Sequence, residues 1–387
     1  MAVWELQAYL SLSLNNVNLS KGVNTLDEHT LIKTYFSDVG SAYLAEQDVR
    51  ISVGDDSSII SLPSGKESVV SVDTSIENIH FLDSMSPDDI AYRAVVVALS
   101  DLAACGADPA WYSVALTFPA LDETWLKKFS DGLKRVSDDY RIPLIGGDTT
   151  KGNLSITVQV NGYCDTGLSI LRSNAKPNEN IYVSGLIGEA ALGLKSFTDK
   201  LEATDQQVKS YLSPKARIEL GLRLKGVASA AIDVSDGLLQ DLKHICEASE
   251  VGAQIELDNI PTSFAISTTA EINSGDDYEI CFTSSPGNED VLKEISEEAK
   301  NYYPHQSEIE VDGKEGKFYI EKVSLIDKWF CRPHECLENL CYSQFGKMFE
   351  HIQASKVPKN YDKINDKERV RKDLQKYDYI YESSNEP

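Results

Sequence analysis

Between residues 26 and 283 the apolar residues switch repeatedly between helical and alternating spacing, and these switches lay out a series of short elements. Leu31, Ile32, Tyr35 and Phe36 predict a helix over 26–39. Two strands follow at 57–62 and 68–72, parted by the turn Pro63-Ser64-Gly65. Ser86-Pro87-Asp88-Asp89 opens a helix, with a capping hydroxyl, proline at the first position and acids in the first turn. It should run to about Cys105 and stop at Gly106. Its Ala- and Val-rich interior suits a helix lying tightly on a sheet. A strand at 111–118, a helix at 122–140 and an alternating strand at 154–163 complete the first half. The second half begins at the turn Ala175-Lys176-Pro177 and continues with a strand at 181–184. Gly185 and Gly188 then lead into an Ala/Leu helix, and a strand at 230–232 turns at Asp233 into a helix over about 237–248. A polar turn, 274–277, precedes a strand at 278–283. This order lacks the regular beat of a doubly wound sheet and predicts an α+β protein.

The ends differ from the middle. Residues 1–24 read as an N-terminal extension. From about residue 328 the composition changes, and 357–387 is dense in Lys, Asp, Glu and Tyr, with a short amphipathic helix expected at 366–377; a solvated appendage accounts for it.

Composition narrows the function. The chain has 387 residues, 42% of them apolar, enough for two real cores or one large one. A formal charge of −24 argues against a nucleic-acid partner bound through its phosphates and against an anionic membrane surface. No apolar run approaches the roughly 18 residues of a membrane span. The apolar stretch 2–14 contains Glu5 and has no basic leader, so a cytoplasmic location is expected. Cys105, Cys164, Cys246 and Cys281 stand singly in apolar segments, as buried free thiols do. Cys331, Cys336 and Cys341 with His334 invite a zinc reading, although their x4 spacing is wider than the tight x2 of common structural sites.

The chemistry lies in aspartates at the ends of apolar segments: Asp55 and Asp56, Asp73, Asp101, Asp148, Asp233 and Asp236. Each has an ordinary explanation alone. Gly54-Asp55-Asp56 is a common turn, Asp73 could cap the next turn, and Asp236 could cap a helix. Asp101 is harder to dismiss, because an acid among Ala, Val and Leu needs a partner or a cleft. Gly146-Gly147-Asp148-Thr149-Thr150-Lys151 reads as a glycine-rich loop able to cradle phosphate, or as a simple turn. Asp233-Val234-Ser235-Asp236-Gly237 sits where a helix N-terminus favours an anion. Converging carboxylates resist joint ionisation unless cations neutralise them, and hard oxygen donors point to Mg²⁺ and a phosphorylated ligand.

Taken in order, Gly54-Asp55-Asp56, Asp73-Thr74 with His80-Phe81, Leu99-Ser100-Asp101-Leu102-Ala103-Ala104, Gly146-Gly147-Asp148-Thr149-Thr150, Leu171-Arg172-Ser173, Asp233-Val234-Ser235-Asp236-Gly237 and Asp277-Tyr278-Glu279 strongly resemble the thiamine-monophosphate kinase family. That family belongs to the ATP-binding superfamily of aminoimidazole ribonucleotide synthetase. The likeness spans about 26–283. It implies a two-domain fold, with an N-terminal ATP/Mg-binding and dimerisation domain at 25–165, a C-terminal α/β sandwich at 166–327 and an extension at 328–387. It also implies a homodimer whose N-terminal sheets form a joint barrel, and ATP-dependent conversion of thiamine monophosphate to thiamine diphosphate. By motif, several Mg²⁺ ions would be held by Asp56, Ser71, Val72, Asp73, Asp101, Asp148, Asp233 and Asp236, with Asp101, Asp148 and Asp236 central to catalysis. Gly147, Arg172 and Ser235 would meet ATP, and His80 and Asp276 the thiamine phosphate; a monovalent cation is a further candidate. Without the resemblance, Arg172 is equally a surface cation and His80 a structural one. Another ATP-dependent synthase, or a non-catalytic nucleotide-binding regulator, are the alternatives.

Two departures stand out. Ser274-Gly275-Asp276-Asp277-Tyr278-Glu279 replaces the family's Gly-Gly-Glu-Asp-Tyr-Glu, so Asp276 is one methylene shorter than the usual Glu. The family's closing Gly-Tyr-Asp-His-Phe segment has only a loose echo at 346–351.

Overall fold

Helix α1 (Glu28–Tyr35) is capped by Asp27, which accepts the Thr30 amide, and it stops well short of the expected residue 39. The chain must turn there: Gly40 adopts φ +67°, and a side chain on it would meet the Ile142 carbonyl oxygen at 2.7 Å. The computed structural model describes residues 27–255, 259–263, 272–302 and 323–326, all within the first of two units, Met1–Trp329, the second being Phe330–Pro387. The extension 1–24, the possible zinc ligands Cys331, His334, Cys336 and Cys341, the segment 346–351 and the helix expected at 366–377 lie outside the described residues.

Strand β1 (Val49–Ile51), unforeseen, pairs with β2 (Ile59–Ile60). The strand expected at 57–62 is thus only two residues long, because its partner is short and Leu62 has no layer beneath it, being 59% exposed. Strand β3 (Lys66–Ile76) outruns the expected 68–72 and carries Asp73 and Thr74 inside its ladder. Helix α2 (Pro87–Ala104) begins and ends as predicted, with Pro87 in its first turn and Gly106 at φ +67° beyond its end. Every residue from Ile90 to Ser100 is buried, so α2 is a core helix with no solvent face.

Strand β4 (Asp108–Phe118), helix α3 (Glu123–Tyr140), strand β5 (Leu144–Lys151) and strand β6 (Ser155–Asp165) complete the first sheet. Asp122 caps α3 by accepting the amides of Thr124 and Trp125, and Leu126, Phe129, Leu133 and Val136 form its buried stripe. The sheet order is β3-β6-β4-β5; β4 and β5 are parallel, joined by α3, and the other pairs are antiparallel. The glycine-rich segment around Asp148 is therefore a strand, not a loop. Pairing with β4 from Tyr112↔Leu144 to Phe118↔Lys151 overrides the turn preference of its glycines.

The second half comprises β7 (Asn180–Val183), α4 (Glu189–Thr198), α5 (Asp205–Leu212), α6 (Ile218–Leu224), β8 (Ala230–Asp233), α7 (Leu238–Ser249), β9 (Gly252–Ala253), β10 (Ile280–Ser284), α8 (Glu289–Tyr302) and β11 (Val323–Ile326). Its antiparallel sheet has the order β8-β10-β7-β11-β9. The expected strand at 278–283 starts two residues late, since Tyr278 is held at φ +52°, outside strand geometry. Helices α5, α6 and α8 and strands β9 and β11 were not foreseen. At the heart of this half Arg217 and Glu279 form a two-pronged ion pair, each side chain 5% exposed, with Ser184 donating to the same carboxylate. Cys164, Cys246 and Cys281 are buried free thiols and Cys105 is half-buried. No helix among the described residues is long and apolar enough to cross a membrane.

Helix α2 packs on β3 and β6 on one side and on α6 and β8 on the other, so it joins the two sheets' layers. Close approach depends on glycine: a Cβ on Gly221 of α6 would lie 2.0 Å from the Ala103 carbonyl oxygen of α2. Gly221→Ala should lose roughly 1–3 kcal/mol, outweighing alanine's better helix propensity of about 1 kcal/mol. Thermal unfolding measures this, and an unchanged or higher Tm would show that α6 can shift away from α2.

Candidate active site

Asp101 occupies the last turn of α2, Asp73 the C-terminal half of β3 and Asp233 the end of β8, and packing of α2 on both strands brings the three within reach of one another's charge. Ser71, on the helix-facing side of β3, donates its hydroxyl to Asp101 Oδ2 at 2.5 Å. Burial, then the charge of Asp101, holds the Asp73 carboxyl above its ordinary range, with nearby His80 opposing. Asp233 is 4% exposed, and burial followed by the charge of Asp101 pushes it up to about 7, against the lowering effect of the Ser100 hydroxyl. Among the described residues no ion pair involves any of these three aspartates. Burial and the charge of Asp101 raise Asp73 and Asp233, which a divalent cation would relieve, and carboxylates with a hydroxyl are the donors Mg²⁺ takes; among the described residues, however, the group whose ligand atoms lie within 4.8 Å of one another is Asp236, Asp241 and His244.

Arg172 is exposed but close enough to Cys105, one turn beyond Asp101, to oppose the burial and acidic neighbours that raise that thiol to about 11. It is thus on the side of Asp101 and Asp233. His80 is exposed; its Nδ1 accepts the Ile76 amide at 3.1 Å, which leaves Nε2 as the free ring donor. Ser235 and Asp236 follow directly on Asp233. Asp236 is not a helix cap: Gly237 occupies that position at φ +123°, and Asp236 Oδ2 instead accepts from Gln240 Nε2. The capping work falls to Asp241, whose Oδ2 accepts the amides of Asp236 and Gly237 and so shapes the turn.

Other predicted residues stand apart. Asp56 is an exposed turn residue whose amide donates to Asp55. Val72 points its side chain, 57% exposed, to the sheet face opposite Asp73. Asp148 lies exposed on β5, the far edge of the sheet from β3, in the row Thr74–Thr157–Ala115–Asp148 on that same open face. Within one copy it does not join the cluster. Gly147 has a steric role: a Cβ there would sit 1.8 Å from the Val114 carbonyl oxygen.

Asp276 is engaged by a residue the sequence reading missed. Arg93, buried in α2, donates from Nη2 to Asp276 Oδ1 at 2.6 Å. A charge within an apolar helix marks Arg93 as plainly as it marks Asp101. Asp241 and Ser100 were also missed; an acid in a helix's first turn signals the former, and nothing local signals the latter.

Residues 54–164 match the family description "AIR synthase related protein, N-terminal domain", and residues 176–301 its C-terminal counterpart. A thiamine-monophosphate kinase of Haemophilus influenzae is 44% identical over 282 residues, covering 69% of this chain and 84% of the relative. Among solved structures, a thiamine-monophosphate kinase from Stenotrophomonas maltophilia superposes with TM-score 0.65 at 32% identity, over 76% of this chain and 95% of that one. A structure described as AaThiL complexed with AMPPCP and TMP superposes with TM-score 0.56 at 23% identity, over 80% and 94% of the two chains, and shares the fold. The order of motifs, the two-domain α+β architecture and the identity over most of its length agree: the chain belongs to the thiamine-monophosphate kinase family within the AIR synthase related proteins.

Proposed function

We infer that this chain is a kinase that transfers the γ-phosphoryl group of ATP to thiamine monophosphate, giving thiamine diphosphate and ADP. The observation that carries this reading is the meeting of Asp73, Asp101 and Asp233 from three elements, in a chain 44% identical to a kinase of that name. A synthase with another acceptor, or a non-catalytic regulator, would leave that identity unexplained.

Asp73, Asp101 and Asp233, with the Ser71 hydroxyl and the Val72 backbone, would hold Mg²⁺, joined by Asp56, Asp148 and Asp236. Held there, Mg²⁺ would supply the positive charge that phosphoryl transfer needs. The protein's own task is alignment. Arg172 offers a forked donor to ATP phosphates, Gly147 and Ser235 offer backbone and hydroxyl contacts, and His80 Nε2 donates toward the acceptor phosphate. That phosphate is already ionised at neutral pH, so no strong base is needed. A monovalent cation remains part of the proposal. The two domains are taken as 25–165 and 166–327, supported by family matches that end at 164 and resume at 176. Buried free thiols support a cytoplasmic location.

A homodimer completes the reading. Strands β3 and β5 are the two edges of the first sheet, and its open face exposes Val70 (52%) and Val72 (57%). Closing two such sheets into a barrel would set β5 of one copy beside β3 of the other, so that Asp148 of one copy and Asp73 of its partner would lie on neighbouring strands while keeping to opposite faces.

Purified protein with ATP, Mg²⁺ and thiamine monophosphate should yield thiamine diphosphate by chromatography. Asp101→Asn should lower turnover about 10²-fold or more while leaving the circular dichroism spectrum unchanged; full activity in that variant would remove the metal assignment.

The carboxyls of Asp73 and Asp233 are raised in the folded protein. The stability this contributes is present below the unfolded carboxyl pKa of about 3.9 and is lost as pH rises through each raised folded value, about 7 for Asp233. Mg²⁺ should therefore raise the Tm more at about pH 8 than at about pH 5. An equal rise at both would place the ion elsewhere.

Asp73→Asn and Asp148→Asn should each be inactive alone. Co-expressed, they should recover about a quarter of wild-type activity, since half the dimers are mixed and each of those carries one intact site. No recovery, with mixed dimers demonstrated, would mean both residues act within one copy.

A further inference from the structure

Arg93 sits in the middle of α2, 4% exposed, on the same helix as Asp101. A guanidinium does not shed its proton, so its burial demands partners for its donors and faces. Nη1 donates to the Tyr211 carbonyl oxygen at 2.6 Å, one of the carbonyls that α5 leaves unpaired at its C-terminal end. Nη2 donates to Asp276 Oδ1 at 2.6 Å. The rings of Tyr211 and Tyr278 lie 4.8 Å and 5.6 Å from its Cζ. The Tyr278 hydroxyl donates to the same Asp276 oxygen at 3.0 Å.

Asp276 and Tyr278 both adopt left-handed backbone conformations, φ +67° and +52°, which non-glycine residues enter only when neighbours hold them there. Their amides donate to the carbonyls of Ser235 and Val234, each at 2.8 Å. The turn is thus strapped to the Asp233–Asp236 segment by its backbone and to α2 by its carboxylate. One methylene shorter than the family's Glu, Asp276 still reaches Arg93 and keeps a third of its side chain exposed. Pairing also neutralises a carboxylate that would otherwise repel an anionic acceptor phosphate.

We propose that Arg93 is a positioning residue for the acceptor: it fixes the Asp276 carboxylate, and with it the substrate-facing turn, relative to Asp101 on the same helix. The proposal rests on the reading that thiamine monophosphate is the acceptor and meets Asp276. It predicts an effect on the acceptor and little on ATP, which a merely structural ion pair does not.

The test uses the full chain with ATP and Mg²⁺, first establishing wild-type turnover of thiamine monophosphate. In Arg93→Met the KM for thiamine monophosphate should rise roughly ten- to hundredfold while that for ATP stays within about twofold. Arg93→Lys, which keeps the charge but not the fork, should fall between and is the deciding variant if Arg93→Met does not fold. Arg93→Met combined with Asp276→Asn should be no worse than the worse single variant. Folded variants with an unchanged acceptor KM, equal rises in both KM values, or additive losses would overturn the positioning role. A wild-type protein that does not phosphorylate thiamine monophosphate would instead remove the functional reading beneath it.

Discussion

Helix α2 is buried on every side, and charges on a buried helix must be answered. Its two charged residues past the first turn, Arg93 and Asp101, are answered differently. Arg93 has a carboxylate, a helix-end carbonyl and two aromatic faces. Asp101 accepts a serine hydroxyl and raises the buried carboxyls of Asp73 and Asp233, an arrangement that a cation would relieve. One element thus presents a satisfied charge toward the Asp276 turn and an unsatisfied cluster toward Asp73 and Asp233.

The rest of the architecture serves that helix. Small residues let it approach β3 and β6, and Gly221 lets α6 come within backbone contact of Ala103. Asp241 secures the turn after Asp233 through the amides of Asp236 and Gly237. The Arg217–Glu279 pair anchors the other end of the Asp276–Glu279 segment in the second sheet. Removing one partner of a pair so buried costs about 3–5 kcal/mol. Supports on both sides of the proposed centre suit phosphoryl transfer, which is chiefly a matter of alignment.

The sheet's open face completes this picture from outside. Asp148 and Asp73 sit on opposite edges and opposite faces of the first sheet, yet the family motif assigns both to one metal set. The proposed second copy would set their two strands side by side, which would tie the assembly to the chemistry as well as to stability.

Much was legible in the sequence. Helices α2 and α3, strand β6 and the strand-to-helix turn at Asp233 declare themselves through caps and periodicity, which are local properties. Asp101 was identifiable because a lone acid in an apolar helix breaks a local rule, and the ordered motifs pointed to the family. What the sequence could not decide depends on distant partners. Strand β5 exists because β4 offers a ladder to glycines that otherwise favour a turn, and β3 lengthens because β6 matches it to Ile76. The separation of Asp148 from Asp73 is set by strand order, and the pairing of Arg93 with Asp276 bridges positions 183 residues apart. Local pattern carries no term for such contacts; they come into being through strand pairing and the packing of α2 against the strands and helices around it.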